Sequence, residues 1–96
     1  MAYNSVFTAS GNIWAQPAAE NVAGELKIQN VGAYSMMVYA TDGAAPAGGP
    51  ETVGYTSLAP GQGLQGTLAE LFPGVASPTR LWLYGSNGIS ASVQYL

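Results

Sequence analysis

Ninety-six residues make one domain, 1–96, and with 48% hydrophobic and 7% charged side chains it falls far below the roughly 25% charge of ordinary soluble domains. Histidine and cysteine are absent, which excludes a thiol nucleophile, a Ser-His relay and the common zinc sites. The two cations, Lys27 and Arg80, cannot build the basic surface that nucleic-acid binding needs.

From Met1 to Ser5 there is no basic stretch leading into an apolar one, so the expectation is a chain made in the cytoplasm without a secretory signal. Tyr3–Thr8 and Asn12–Gln16 read as short strands on either side of Ser10-Gly11. Gln16-Pro17 closes the second, because proline restricts its predecessor and cannot donate to a ladder. Residues 25–31 alternate, with Leu26 and Ile28 on one face and Lys27 and Gln29 on the other, as a half-buried strand requires. Gly32-Ala33 turns the chain into a strand over 34–41, apolar on both faces. Such a strand is central in a sandwich, or has one face in the core and one in an interface. Its run Met36–Ala40 is too short to cross a membrane.

Residues 42–50 are a loop by composition, Asp42-Gly43-Ala44-Ala45-Pro46-Ala47-Gly48-Gly49-Pro50, of the kind that serves as a binding loop or arm. Leu58-Ala59-Pro60-Gly61 predicts a turn with proline and glycine at its corners, followed by a short strand at Gln62–Gly66. Thr67-Leu68-Ala69-Glu70 matches a capping box over a helical turn at 67–72, which Pro73-Gly74 ends. Finally, Arg80–Ser86 and Ile89–Tyr95 flank Asn87-Gly88, the preferred pair of a type I′ hairpin. That turn sets Tyr84 opposite Ala91, Trp82 opposite Val93 and Arg80 opposite Tyr95. Trp82, Tyr84, Ile89, Ala91 and Val93 then share a face, and the strand runs to Leu96. The expected fold is all-β: a small antiparallel β-sandwich or partly closed barrel of about seven or eight strands with a C-terminal β-hairpin.

Little in this chain carries chemistry. Asp42-Gly43 near Glu51 lacks the spaced carboxylates of a calcium loop and reads as a turn aspartate. The Gly-rich stretch at 43–49 has neither the lysine nor the helix of a phosphate loop. Five scattered acids supply no evident catalytic pair, so the expectation is a non-enzyme with no catalytic residue, cofactor or metal. Met36-Met37 fill a central strand. Arg80 either holds a partner's carboxylate or stacks on Tyr95. Trp82 belongs to the core, whereas Trp14 is the exposed aromatic, in an interface or stacked on a sugar. A neutral, apolar outside promotes association. The candidate contact residues are Tyr3, Val6, Phe7 and Trp14 in the N-terminal segment and Ala44, Pro46 and Pro50 in the loop.

From Leu58-Ala59-Pro60-Gly61 onward, through Thr67-Leu68 and Leu71-Phe72 to Arg80-Leu81-Trp82-Leu83-Tyr84-Gly85-Ser86-Asn87-Gly88-Ile89-Ser90-Ala91-Ser92-Val93, the chain resembles small β-domain virion proteins of tailed bacteriophages, the capsid decoration (cement) type. The resemblance covers about the last 40% of the chain and lies in pattern and size. It implies a structural virion protein on the capsid exterior, partnered by the major capsid protein or another virion protein. A homo-oligomer follows from the neutral surface, with a trimer preferred for an icosahedral lattice, and neither nucleic acid nor membrane is a partner. The alternative is a head-fibre, tail or receptor- or glycan-binding β-module using Trp14 and the 42–50 loop.

Overall fold

Among the described residues the chain forms seven strands in two antiparallel sheets. The computed structural model describes residues 3–17, 21–22, 24–49 and 53–95, and of Tyr3 the backbone alone. The strands are β1 (Tyr3–Ala9), β2 (Leu26–Asn30), β3 (Met36–Thr41), β4 (Thr56–Leu58), β5 (Gly63–Gly66), β6 (Arg80–Tyr84) and β7 (Ile89–Tyr95), with one helical turn, α1 (Leu68–Leu71), between β5 and β6. One sheet has the order β1-β7-β2-β5 and the other β4-β3-β6. The fold is therefore the expected all-β sandwich, and it does not close into a barrel.

The period-two pattern decides what faces inward. Leu26 and Ile28 of β2, Met36, Val38 and Ala40 of β3, Leu81 and Leu83 of β6, and Ile89, Ala91 and Val93 of β7 meet between the sheets. Most of these are fully buried, each aliphatic side chain contributing about 1.5–3 kcal/mol relative to exposure. Leu58 and Leu68 join them from β4 and α1. Among the described residues, one buried polar side chain lies in this layer. The Asn30 amide donates to the carbonyls of Tyr34 (2.8 Å) and Leu58 (2.9 Å), and its Oδ1 accepts from the Gly32 N–H (3.0 Å). With its partners found, it joins β2 to the opposite sheet instead of weakening the core.

The two local turn predictions hold. Pro60-Gly61 turns with Gly61 at φ +88° and the Gln62 N–H on the Ala59 carbonyl (2.9 Å), as proline and glycine at these corners direct. Thr67 caps α1 in a reciprocal capping box with Glu70.

The C-terminal pairing departs from expectation. β6 pairs with β3, placing Tyr39 opposite Trp82 and Val38 opposite Leu83, and β7 pairs with β1 and β2. The strands and the short turn exist, but the ladder between Trp82 and Val93 does not: the turn carries the chain from one sheet to the other. The backbone shows why. A type I′ turn needs positive φ at both central residues, yet Gly88 is at φ +91° while Asn87 is not in the left-handed region. Gly85 is the second cause, since a Cβ there would lie 2.6 Å from both the Gly88 carbonyl oxygen and Ile89 Cγ2. The shared face changes accordingly. Leu81 and Leu83 point into the core with Ile89, Ala91 and Val93, while Trp82 and Tyr84 point away from it.

The N-terminal segment follows the same path beside this corner. β1 pairs with β7 over its whole length, Tyr3 opposite Tyr95 to Ala9 opposite Ile89. The chain then crosses at Gly11, and Ala15 bridges Leu83 of β6 through two N–H···O bonds of 2.8 Å. The expected strand at Asn12–Gln16 is reduced to that bridge. Residues 3–15 are thus built into both sheets. β4 was not expected from the sequence, and Leu96 lies outside the described residues.

Candidate functional site

The sequence reading points to contact surfaces, so the functional question is which of them are free to meet another molecule. The outer face of the β4-β3-β6 sheet is not free. Its register aligns Met37, Tyr39 and Thr41 with Tyr84, Trp82 and Arg80, and Trp14 lies across them. The Trp14 ring stands 5.2 Å from that of Tyr84 and 6.4 Å from that of Tyr39, and its Nε1–H donates to the Gly48 carbonyl (2.9 Å). Tyr39 in turn meets Phe72 edge-on at 5.7 Å, and Trp82 Nε1–H donates to Thr41 Oγ1 (2.8 Å).

Trp14 is thus 9% exposed, which corrects its expected place at the surface. Because Ala15 shares a face with Leu83, the preceding side chain must fall on the opposite side of the sheet, where tyrosines await it. The glycan-stacking reading loses its anchor with this burial. The second apolar face of β3 is accordingly covered largely by the chain's own aromatics. Aromatic–aromatic contacts of this kind add about 0.5–1.5 kcal/mol each beyond burial.

The remaining expected contact residues are dispersed. Val6 is 57% exposed and on the outer face of the β1-β7-β2-β5 sheet, whereas Phe7 points inward and is half-buried against the core. Ala44 is exposed and Pro46 half-buried in a loop held down by the Trp14–Gly48 bond. Pro50 and the Tyr3 side chain lie outside the described residues. Arg80 does not stack on Tyr95, which belongs to the other sheet; its Nε donates to Asn21 Oδ1 (2.9 Å). Asp42 is exposed, and the turn beside it is closed by Thr41 Oγ1, which accepts from the Gly43 N–H (3.3 Å).

Two surfaces stand out among the described residues. The outer face of the four-stranded sheet is mostly polar: Asn4 and Thr8 beside Gln94 and Ser90, then Ser92 beside Gln29, with Lys27 opposite Gln65 and Glu25 accepting from Gln65 Nε2 (3.5 Å) at its far side. Here Gln94 Nε2 donates to Asn4 Oδ1 (3.1 Å) and Gln29 Nε2 to the Gly61 carbonyl (3.0 Å).

The second surface is the end of the sandwich where the chain changes sheets. Asn12 N–H donates to the Gly85 carbonyl (2.8 Å) and Val31 N–H to that of Ser90 (3.0 Å), which gathers the loops at 10–13, 31–35 and 85–88. A Cβ on Gly11 would lie within 2.9 Å of the backbone of Gly85, Ser86 and Gly88, so glycine permits this convergence. Three large apolar side chains are exposed on these loops: Ile13 (58%), Tyr34 (57%) and Val31 (48%). Tyr34 also borders a shallow depression of about 270 Å³ shared with Ala9, Ala33, Asn87 and Ser90. Sequence reasoning missed this surface, because Ile13 and Tyr34 read as strand residues and only the sheet crossings turn them outward. Among the described residues, no group of three or more acidic side chains is placed to hold a metal ion, and no helix is long and apolar enough to cross a membrane. Comparison of the chain with protein-family models, with curated proteins and with solved structures finds no match.

Proposed function

We propose that this chain is a non-enzymatic structural protein of a bacteriophage virion, a capsid decoration (cement) protein. On this reading it binds the outer capsid lattice through neutral surface, works as a homo-oligomer, and stabilises the shell by bridging its subunits. The observation that carries the reading is the apolar end formed by Ile13, Val31 and Tyr34. Exposed large apolar side chains gathered on a chain with 7% charge mark a protein–protein contact. The surface contains no steering charge, which suits a lattice component that is held by shape and apolar burial. Pattern likeness to phage virion modules supplies the kind of lattice.

Electron cryomicroscopy of the particle that carries the protein tests this directly. The expected result is density for a domain of 30 × 28 × 20 Å on the outer capsid surface, its Ile13–Tyr34 end against the major capsid protein. Density confined to the tail or a fibre tip overturns the assignment. In reconstitution with capsids lacking it, Ile13→Lys with Tyr34→Ala should lose binding while keeping its circular dichroism spectrum. Binding of the unaltered protein should survive about 1 M salt, because ion pairs contribute little.

A further inference from the structure

Four sheet edges need protection from unwanted pairing, and three have it. β4 is three residues long and β5 four, two of them glycine. The open side of β6 is taken by Ala15, bridged to Leu83, and by Asn12 on Gly85. β1 differs from all of these. It is seven residues long, Tyr3-Asn4-Ser5-Val6-Phe7-Thr8-Ala9, with no charge, proline or glycine, and among the described residues only β7 pairs with it. Edge strands normally carry lysine, proline, a bulge or a cover, since their free N–H and C=O groups template another strand. Among the described residues nothing of the kind lies on β1.

We infer that the β1 edge pairs antiparallel with β1 of a second copy of this chain across a two-fold axis at Val6. The sequence of the strand suits itself in that register. All seven residues pair. Val6, an exposed apolar residue on a polar sheet face, meets the second copy's Val6, and Asn4 lies opposite Thr8. On the inward face Ser5 is exposed while Phe7 is half-buried. The same register sets Phe7 opposite the second copy's Ser5, so each phenyl ring covers the stretch that the other copy's core leaves open. Cross-strand pairs are the unit of sheet stability, and like charges opposite one another would oppose it; β1 offers none. The nearest charge on that face, Lys27, sits two strands away on β2, about 10 Å from β1 at ordinary strand spacing. A two-fold contact is isologous and closes on itself, giving an eight-stranded sheet continuous through the dimer, with no free β1 edge left. This is a dimer, not the three-fold assembly that the neutral surface alone favours, and it rests on the edge, independent of any role on a capsid.

The chain has no cysteine, so single introduced thiols report the register. Sedimentation velocity of the full chain across the micromolar range should show a concentration-dependent dimer. Val6→Lys, which sets two ammonium groups face to face, should raise its dissociation constant at least about tenfold with an unchanged circular dichroism spectrum. Directly opposed strand residues have Cα atoms about 4.5–5.5 Å apart, within disulfide reach. Val6→Cys should therefore oxidise to a covalent dimer. Asn4→Cys and Thr8→Cys should cross-link when mixed, and neither should do so alone. The cysteine variants decide the matter even if Val6→Lys fails to fold. A monomer throughout, a trimer, or cross-linking of Asn4→Cys with itself would each overturn the pairing.

Discussion

The two outer faces of the sandwich are built from strands of similar length, yet one is closed and the other open. On the three-stranded sheet the outward side chains are Met37, Tyr39, Trp82 and Tyr84, and the chain lays Trp14 and the Gly48 carbonyl over them. On the four-stranded sheet they include Asn4, Thr8, Gln29, Ser90, Ser92 and Gln94, and among the described residues no aromatic layer of this kind covers them. The difference separates two meanings of a charge-poor composition. Part of the apolar content is consumed inside the chain, as a second, aromatic layer. What is left for partners is smaller and more specific: one apolar end and one uncharged edge.

If the aromatic layer is core in all but position, truncating its central ring should act like a core mutation. Trp14→Ala removes both ring contacts and leaves the Gly48 carbonyl without its donor. We expect a loss of about 3–5 kcal/mol in chemical denaturation, together with loss of the near-ultraviolet dichroism of the cluster. A loss under about 1 kcal/mol, within the range of surface substitutions, would mean that this face is as open as the other.

The corner that joins the sheets comes next in size. Gly88 sits at φ +91°, with the Ala9 carbonyl oxygen 3.3 Å from where a Cβ would be. Gly88→Val should cost roughly 1–3 kcal/mol through backbone strain, read as a lowered midpoint with an unchanged slope. An unaffected midpoint would require a different turn from the one described.

These elements also mark the limit of what the sequence discloses. Alternation located β2, β3, β6 and β7 within a residue or two, because inward and outward side chains differ in kind along them. Turn chemistry placed Pro60-Gly61 and Thr67, where a ring or a hydroxyl acts on its own neighbours. Pairing was not legible. Asn87-Gly88 suits a hairpin as well as a crossing, and what chooses is the space at Gly85 and the approach of Gly11, set by residues more than seventy positions apart. Trp14 was misplaced for the same reason, since its cover, Gly48, lies thirty-four residues on. β4 was passed over because three residues show no period.

On the open face, substitution should cost little in stability. Ser92 lies between Val6 and Gln29 on the flat polar surface, half-buried and not charged. Ser92→Lys should stay within about 0.5 kcal/mol of the parent in denaturation, in contrast to Trp14→Ala. A loss as large as that of Trp14→Ala would erase the distinction between the faces.

The smallest effect expected is an acid response at α1. Glu70 accepts from the Thr67 backbone N–H (2.9 Å) and from the Thr67 hydroxyl (3.1 Å). These bonds, the backbone one first, hold its carboxyl below the ordinary value of 4.5, against a slight opposing effect of burial. The ionised form is thus favoured in the folded chain. Its contribution is complete above the ordinary carboxylate pKa and is lost as pH falls through the lower folded value. Glu70→Gln keeps an oxygen for the cap but has no charge to lose. Between about pH 6 and pH 3 the melting midpoint of the parent should therefore fall further than that of Glu70→Gln, with the two curves converging at the acid end. Parallel curves would show that the capping box stabilises α1 without its charge. Trp14→Ala, altering only the covered face, should shift the whole profile downward without changing its shape.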